Sequence, residues 1–234
     1  MTSVSALLRA VVGRDAAETL GRRRMAILLA TLILLILASP IADIVRTTRL
    51  IIDVATVGFL LSCLQQVDAH PGLRLPSRLM VLLWLFLSLP LPWSDDVWVT
   101  ACASATLAAL SLSVLWMVGQ DLVRADRVDS ELLYSAVGAY LLIGVFWAET
   151  YEIVSLAVPS AFAGAVGATP NRSALFYFSF TTLTTTGYGD ITAINPVVRM
   201  WSIFEAIIGT MYNATVIARL VSLYGSRVKP RHER

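Results

Sequence analysis

The sequence has 234 residues, of which 57% are hydrophobic and 15% charged, and its mean hydropathy is +0.73. Soluble domains are about 25% charged, so this composition indicates a membrane protein and argues against an ordinary soluble enzyme. The net charge of +2 gives no sign of nucleic acid binding, and we expect none. Cys63 and Cys102 both lie in apolar runs, which favours small hydrophobic side chains over a disulfide framework.

The N-terminal half contains four apolar runs, at residues 25–38, 50–64, 79–91 and 97–118. We predict that they form a four-helix module over residues 25–118. The second and third runs are shorter than the ~20 residues that a bilayer core requires, so polar flanks must extend them. Residues 1–24 are predicted to be a cytoplasmic amphipathic segment, which either lies in the membrane interface or is frayed. The fourth run contains no lysine or arginine.

The C-terminal half follows a charged linker, residues 119–131, and ends in a short tail, residues 227–234. Between them, the runs 132–158 and 200–224 are long enough to span a bilayer, whereas the apolar, aromatic stretch 171–182 is too short. We expect that stretch to be a re-entrant helix next to irregular backbone that is buried or lines a cavity. The predicted fold class is an all-α membrane protein with six transmembrane helices and one re-entrant helix. The tail is too short for a soluble regulatory domain.

The run Thr184-Thr185-Thr186-Gly187-Tyr188-Gly189-Asp190 stands between the re-entrant stretch and the last span. A loop that points successive carbonyls toward one axis must leave the ordinary α and β regions, which Gly187 and Gly189 can do without steric cost. Tyr188 offers a rigid ring with a hydroxyl that can anchor the loop. A Thr/Gly-rich turn in a soluble protein has a similar composition, but the apolar runs on both sides argue against it.

This run resembles the signature of tetrameric potassium channels, with Thr186 where valine is commonest, and the resemblance covers about residues 131–226. It implies a bacterial six-transmembrane channel in which residues 132–226 form the pore domain. The four helices of residues 25–118 resemble a voltage-sensor module in number and position only, because the fourth lacks the arginines that would serve as gating charges. The implied filter consists of Thr185, Thr186, Gly187, Tyr188 and Gly189. K⁺ would bind at the carbonyls of the first four and at the Thr185 hydroxyl. One filter strand cannot enclose an ion, so the resemblance implies a homotetramer with four-fold symmetry and, apart from K⁺, no cofactor.

The resemblance also implies a set of residues that support the filter: Asp190 and, on the re-entrant helix, Tyr177, Phe178, Thr181 and Thr182. Thr181 stands where certain channels have a glutamate, and Tyr177 and Phe178 stand where paired tryptophans are common. The polar contacts behind the filter must therefore be made differently. We predict one hydrogen bond between the Tyr177 hydroxyl and the Asp190 carboxylate, and another between Tyr188 and Thr182.

In the last span, the implied cavity and gate residues are Gly209, Thr210, Asn213, Ile217 and Glu205. Gly209 lies nineteen residues after Asp190, where related channels often have a glycine hinge. A lone glycine in a membrane helix is also a common close-packing point. An asparagine facing lipid would lack a partner, which favours a pore-facing Asn213. Glu149, Glu152 and Glu205 are ionisable groups at or near membrane depth, where such groups mark function.

Six spans place both termini on one side of the membrane, and the positive-inside rule gives the orientation. With the termini inside, the inner segments contain 14 of the 18 basic residues, and only Arg46, Arg49, Arg172 and Arg199 are left outside. We therefore expect a multi-pass inner (plasma) membrane protein with both termini cytoplasmic. The first run also resembles a signal peptide, but its cleavage would leave five spans.

The expected function is a potassium-selective channel with little voltage dependence, because the fourth run carries no charge that a field can move. A weakly selective cation channel is an alternative, since Thr186 and the altered supports would soften the filter. A silent regulatory subunit is another. Residues 187–190 also satisfy the G-x-G-D pattern of intramembrane aspartyl proteases, which need a second carboxylate. The best placed one, Asp53, lies near the end of its helix, so we expect no enzyme.

Overall fold

The computed structural model describes residues 24–44, 49–67, 74–88, 97–158, 160–164 and 171–228. These residues form seven α-helices and two short strands. In chain order they are α1 (Arg24–Ile44), α2 (Arg49–Val67), α3 (Arg74–Ser88), α4 (Val97–Arg124), α5 (Ser130–Ala157), β1 (Phe162–Ala163), α6 (Arg172–Leu183), β2 (Thr192–Ala193) and α7 (Pro196–Val228). The all-α prediction is confirmed for the described residues.

The first four helices pack into a bundle whose core is apolar. Leu28 and Leu32 of α1, Phe59 of α2 and Leu110 of α4 are all buried in one cluster. The same cluster continues into α5 through Leu142, because both α1 and α4 pack along that helix. The apolar packing therefore holds the N-terminal helices against the first helix of the C-terminal half.

The connection between the two halves is shorter than the predicted linker 119–131. Helix α4 continues to Arg124, which leaves a five-residue connection before α5. The guanidinium of Arg219, in α7, donates to the carbonyl oxygens of Val123 and Ala125 at 3.0 and 2.9 Å. The last carbonyls of a helix have no partner within it, so a basic side chain that satisfies them allows the helix to extend.

The short helix α6 lies between α5 and α7, in contact with both. It begins after Asn171, whose side-chain oxygen accepts the backbone N–H of Ala174 at 3.0 Å, a capping contact typical of helix N-termini. Strands β1 and β2 pair antiparallel, with Phe162 opposite Ala193. This pairing brings the segment before α6 next to the segment that follows the Thr/Gly-rich loop.

Three of the described helices, α4, α5 and α7, are long and apolar enough to cross a membrane. Helices α1 and α3 contain shorter apolar segments, Arg24–Ala38 and Leu75–Phe86. The structure therefore supports a membrane protein, and the count of six spans stays a prediction. The predicted amphipathic segment before Arg24 and the tail after Val228 lie outside the described residues.

Candidate functional site

The loop of residues 184–190 follows directly from the C-terminus of α6. Its first amides are bonded to the last turns of that helix: Thr185 N donates to the Thr182 carbonyl at 2.9 Å, and Thr186 N and Gly187 N donate to the Thr181 carbonyl at 2.8 and 3.1 Å. Thr181 and Thr182, both predicted supports, therefore hold the loop through their backbone carbonyls. The Thr181 hydroxyl donates within its own helix, to Phe178 O at 3.0 Å.

Three residues of the loop have a positive φ. Gly187 and Gly189 have φ values of 51° and 80°, the left-handed conformation that the sequence predicts for them. Thr185, with φ of 58°, adopts it as well, which was not predicted. A β-branched residue in this region is unusual, and the strain costs about 1–2 kcal/mol. Thr184 and Thr186 flank the strained residue, and their hydroxyl oxygens are 2.9 Å apart.

The loop is exposed in the single chain. Residues 184–190 are all solvent accessible, and Tyr188 exposes 72% of its surface. Among the described residues, no donor hydrogen-bonds the carbonyl oxygens of residues 185–189. These exposed carbonyl oxygens are therefore available to water, to a cation or to another protein chain.

Tyr177 and Asp190 lie together beside the loop. The pKa of the Tyr177 hydroxyl is raised mainly for two reasons. The larger is the partial desolvation of the hydroxyl, and the smaller is its hydrogen bond to the Asp190 carboxylate. The Tyr177 ring also stacks on Tyr188 of the same chain, with centroids 6.2 Å apart and planes 7° apart. Within the chain Tyr188 thus contacts Tyr177 by stacking, and its hydrogen bond to Thr182 of a pore helix stays a prediction. The Asp190 carboxylate accepts the N–H of Ile191 at 3.0 Å.

Phe178, another predicted support, faces away from the loop. Its ring packs edge-on against Tyr151 of α5 and Phe162 of β1, with centroid distances of 5.1 and 5.2 Å. The reason is helical geometry: consecutive positions on α6 point about 100° apart, so Tyr177 and Phe178 cannot both reach the loop. Phe178 supports the filter only by anchoring α6 to its neighbours.

Glu205, predicted to be a cavity or gate residue, does not face an open space in the single chain. Its side chain is fully buried within the chain, between α5, α6 and α7. Ser179 Oγ donates to Glu205 Oε1 at 2.6 Å, and the Tyr151 hydroxyl donates to Glu205 Oε2 at 2.7 Å. A carboxylate in an apolar environment is stable only with such donors, and the hydroxyls on the neighbouring helices attract it inward.

Gly209 lies one turn beyond Glu205 and also faces α6. A Cβ at this position would clash with the carbonyl oxygen of Leu183, so glycine is what allows α7 to approach the end of α6. Of the two interpretations from the sequence, the structure supports the close-packing point. The role as a hinge stays a prediction.

The remaining predicted cavity residues, Thr210, Asn213 and Ile217, are exposed in the single chain. The Thr210 hydroxyl donates to the Ala206 carbonyl of its own helix at 2.9 Å. Their exposure agrees with a position next to other copies of the chain or a water-filled space. The assignment to a cavity stays a prediction, because it depends on the assembly.

Several polar contacts in this region were not predicted. The guanidinium of Arg172, at the start of α6, forms an ion pair with the buried carboxylate of Glu149 in α5. Ser104 of α4 donates to Glu152 at 2.8 Å, and the Tyr140 hydroxyl donates to the Leu183 carbonyl at 3.2 Å. The signal in the sequence was the placement of charged residues near membrane depth, but their partners are far away along the chain.

Residues 137–225 match a family model described as "Ion channel". The matched segment includes most of α5, the whole of α6 with its loop, and most of α7. The match indicates an ion channel of the pore-forming type, and it points to a transport protein rather than an enzyme. No curated protein and no solved structure matched the chain.

Proposed function

We propose that the chain is a potassium-selective channel in which four copies each contribute one filter strand around a common axis. Each strand consists of Thr185, Thr186, Gly187, Tyr188 and Gly189, and K⁺ binds at the carbonyls of residues 185–188 and at the Thr185 hydroxyl. The channel lies in the inner (plasma) membrane with both termini cytoplasmic, and it has little intrinsic voltage dependence.

The observation that carries this proposal is the set of carbonyl oxygens in residues 185–189 that no described donor satisfies. The amides of Thr185, Thr186 and Gly187 are already bonded to the carbonyls of Thr182 and Thr181, so in this part of the loop the backbone groups without a described partner are the carbonyl oxygens. A ring of such acceptors replaces the hydration shell of a dehydrated cation. The aspartyl protease alternative would instead need two carboxylates that share a proton, and Asp190 is the sole acidic residue of the loop.

The requirement for four copies is supported by the apolar surface of α7. Large side chains along this helix are exposed in the single chain, including Met200, Ile203, Phe204, Ile207, Met211, Ile217 and Val221. They form one broad face of the helix that the chain itself leaves uncovered, and neighbouring copies of the chain or lipid can cover it. Closed cyclic symmetry brings identical loops to one axis and covers part of this surface.

A weakly selective cation channel is the second candidate, and one observation favours it. Thr185 is strained at positive φ, and Thr186 places a hydroxyl where potassium channels most often have valine. Both features change the carbonyl spacing on which selectivity depends. The intact Gly187-Tyr188-Gly189 favours the potassium-selective candidate.

The test is a measurement on the purified full chain in liposomes and planar bilayers. With K⁺ on one side and Na⁺ on the other, a reversal potential that follows the K⁺ gradient supports the proposal. A reversal potential near zero supports the weakly selective channel. Cross-linking of the reconstituted protein tests the assembly, and a product larger or smaller than four chains contradicts the tetramer.

A further inference from the structure

Glu205 joins three helices at a point behind the filter. Its two carboxylate oxygens accept from Ser179 of α6 and Tyr151 of α5, at 2.6 and 2.7 Å. Ser179 Oγ also lies 2.9 Å from the Gly144 carbonyl of α5, and the Tyr151 hydroxyl lies 3.5 Å from the Ser202 hydroxyl of α7. The carboxyl group is therefore the centre of a polar network that contacts every helix of the C-terminal half.

The network is buried where polar groups are costly. Glu205, Ser179 and Tyr151 are each 0% exposed. Among the described side chains, the groups that hydrogen-bond the carboxyl group are hydroxyls, and Arg172 pairs with Glu149 instead. Packing alone could be provided by an apolar residue at lower cost, so an ionisable residue at this depth indicates a function.

Ser179 connects the network to the filter through a short, direct route. It lies two residues before Thr181, whose carbonyl accepts the amides of both Thr186 and Gly187. Helix α6 has only 12 residues and its backbone is hydrogen-bonded throughout, so it moves as a rigid element. A displacement of α7 that pulls on Ser179 therefore also displaces the residues that fix the first half of the filter.

A second contact between the same two helices lies one turn away. Gly209 packs against the carbonyl of Leu183, the last residue of α6, and the Tyr140 hydroxyl donates to that same carbonyl at 3.2 Å. The Glu205–Ser179 hydrogen bond and the Gly209–Leu183 contact thus fix both the position and the tilt of α6 on α7. One contact would transmit only a translation of α7 to α6, whereas two separate contacts also transmit a rotation.

We propose that Glu205 and Ser179 are a positioning pair that couples α7 to the filter and thereby sets how long the filter stays in its conducting conformation. This inference rests on the proposed channel function. Neither residue contacts the ion; the pair acts through α6 and the Thr181 carbonyl. Movement of α7 at its cytoplasmic end would reach the filter through the same hydrogen bond.

The experiment compares the full chain with Ser179→Ala, Glu205→Gln and the double variant in single-channel recordings with K⁺ on both sides. We expect Ser179→Ala to shorten the mean conducting time about fivefold, the scale of one interhelical hydrogen bond in a membrane. Glu205→Gln keeps the size and one acceptor oxygen and should shorten it about threefold. Because Glu205→Gln weakens the same hydrogen bond that Ser179→Ala removes, the double variant should be no worse than Ser179→Ala.

Ser135→Ala is the matched control. Ser135 is also a buried serine, but its hydroxyl donates to the Glu131 carbonyl of its own helix at 2.8 Å. This variant should conduct like the unchanged chain. If it shortens the conducting time as much as Ser179→Ala does, loss of any buried hydroxyl explains the effect, and the proposal is overturned.

A change in external K⁺ separates positioning from loss of folded protein. K⁺ binds only the ordered filter and so stabilises it by mass action. Raising external K⁺ from about 5 mM to about 150 mM should therefore restore most of the conducting time in Ser179→Ala. An effect that is confined to the number of channels, with normal conducting times, contradicts the proposal.

The recordings also separate the two proposals. If the unchanged chain conducts no K⁺, the proposed function fails. If it conducts and both single variants match it, only the positioning role fails.

Discussion

The two halves of the molecule are held together by different kinds of contact. Between α1, α2, α3 and α4 the contacts are mainly apolar, as for Leu32 and Leu110, and the hydrogen bond from Thr31 to Ser62 is long at 3.3 Å. Between α5, α6 and α7 hydrogen bonds and an ion pair join the helices directly, and one of them, from the Tyr212 hydroxyl to the Ala136 carbonyl, is 2.6 Å.

The difference shows where the molecule requires a fixed geometry. Lipid tails are as apolar as leucine, so apolar packing between membrane helices gives little directional preference. Hydrogen bonds depend on distance and angle, and a network of them selects one arrangement. The half that contains the loop has such a network, whereas the contacts shown between the described residues of the N-terminal bundle are mainly apolar.

The largest effect is expected from Gly187→Ala or Gly189→Ala. Neither position has an atom within 4 Å of a new Cβ, so the change acts on the backbone, whose positive φ costs an L-residue about 1–2 kcal/mol in each subunit of the proposed tetramer. We expect K⁺ flux into liposomes to disappear while the cross-linked tetramer remains. A variant with unchanged flux and selectivity would contradict the filter assignment.

The next largest effect is expected from Gly209→Ala, and Gly138→Ala is its control. A Cβ at Gly209 meets the Leu183 carbonyl and forces α7 away from α6, which should cost about 1–3 kcal/mol, as overpacking does. Gly138, in α5, has nothing within 4 Å, and alanine there should stabilise the helix by about 0.5–1 kcal/mol. Thermal unfolding in detergent measures both; equal shifts in Tm would show that Gly209 is not a close-packing point.

A smaller effect is expected from Arg172→Ala. The change leaves the buried carboxylate of Glu149 without its cation, which in a fully buried pair costs about 3–5 kcal/mol. Because the Arg172 side chain is 40% exposed, we expect about half of that. The double variant Arg172→Ala/Glu149→Gln should recover most of the loss in Tm.

Thr31→Val is the corresponding change in the N-terminal half. It should cost less than about 1 kcal/mol, since between helices it removes only the long contact to Ser62, and the other contacts of the hydroxyl are to carbonyls of its own helix. If Thr31→Val destabilises the protein as much as Arg172→Ala, the two halves do not differ in the way that their contacts indicate.

The smallest effect is expected from voltage itself. Moving one elementary charge through the field supplies about 2.3 kcal/mol per 100 mV, and residues 97–118 of α4 contain no basic residue. Arg124 follows at the end of that helix. The voltage dependence of the open probability in symmetric K⁺ should therefore correspond to less than about one effective charge per subunit. A steep activation curve with a measurable gating current would show that the N-terminal bundle is a voltage sensor.

Features that depend on neighbours in the chain could be predicted from the sequence. The positive φ of Gly187 and Gly189 follows from the residue type, and the end of α6 follows from the short apolar stretch before the loop. The all-α class follows from the apolar runs. The extension of α4 beyond Val118 could not be predicted, because it depends on Arg219, far away along the chain.

The partners of Glu205 were decided by the tertiary structure alone. Ser179 and Tyr151 are 26 and 54 residues away from it in sequence. In a soluble helix, an apolar stripe shows which face is buried. In a membrane helix such as α7 apolar residues occur all around the helix, so the pattern of residues does not show which face packs against α6. The strained φ of Thr185 has the same origin, since the helix end that receives its N–H fixes the backbone of the loop.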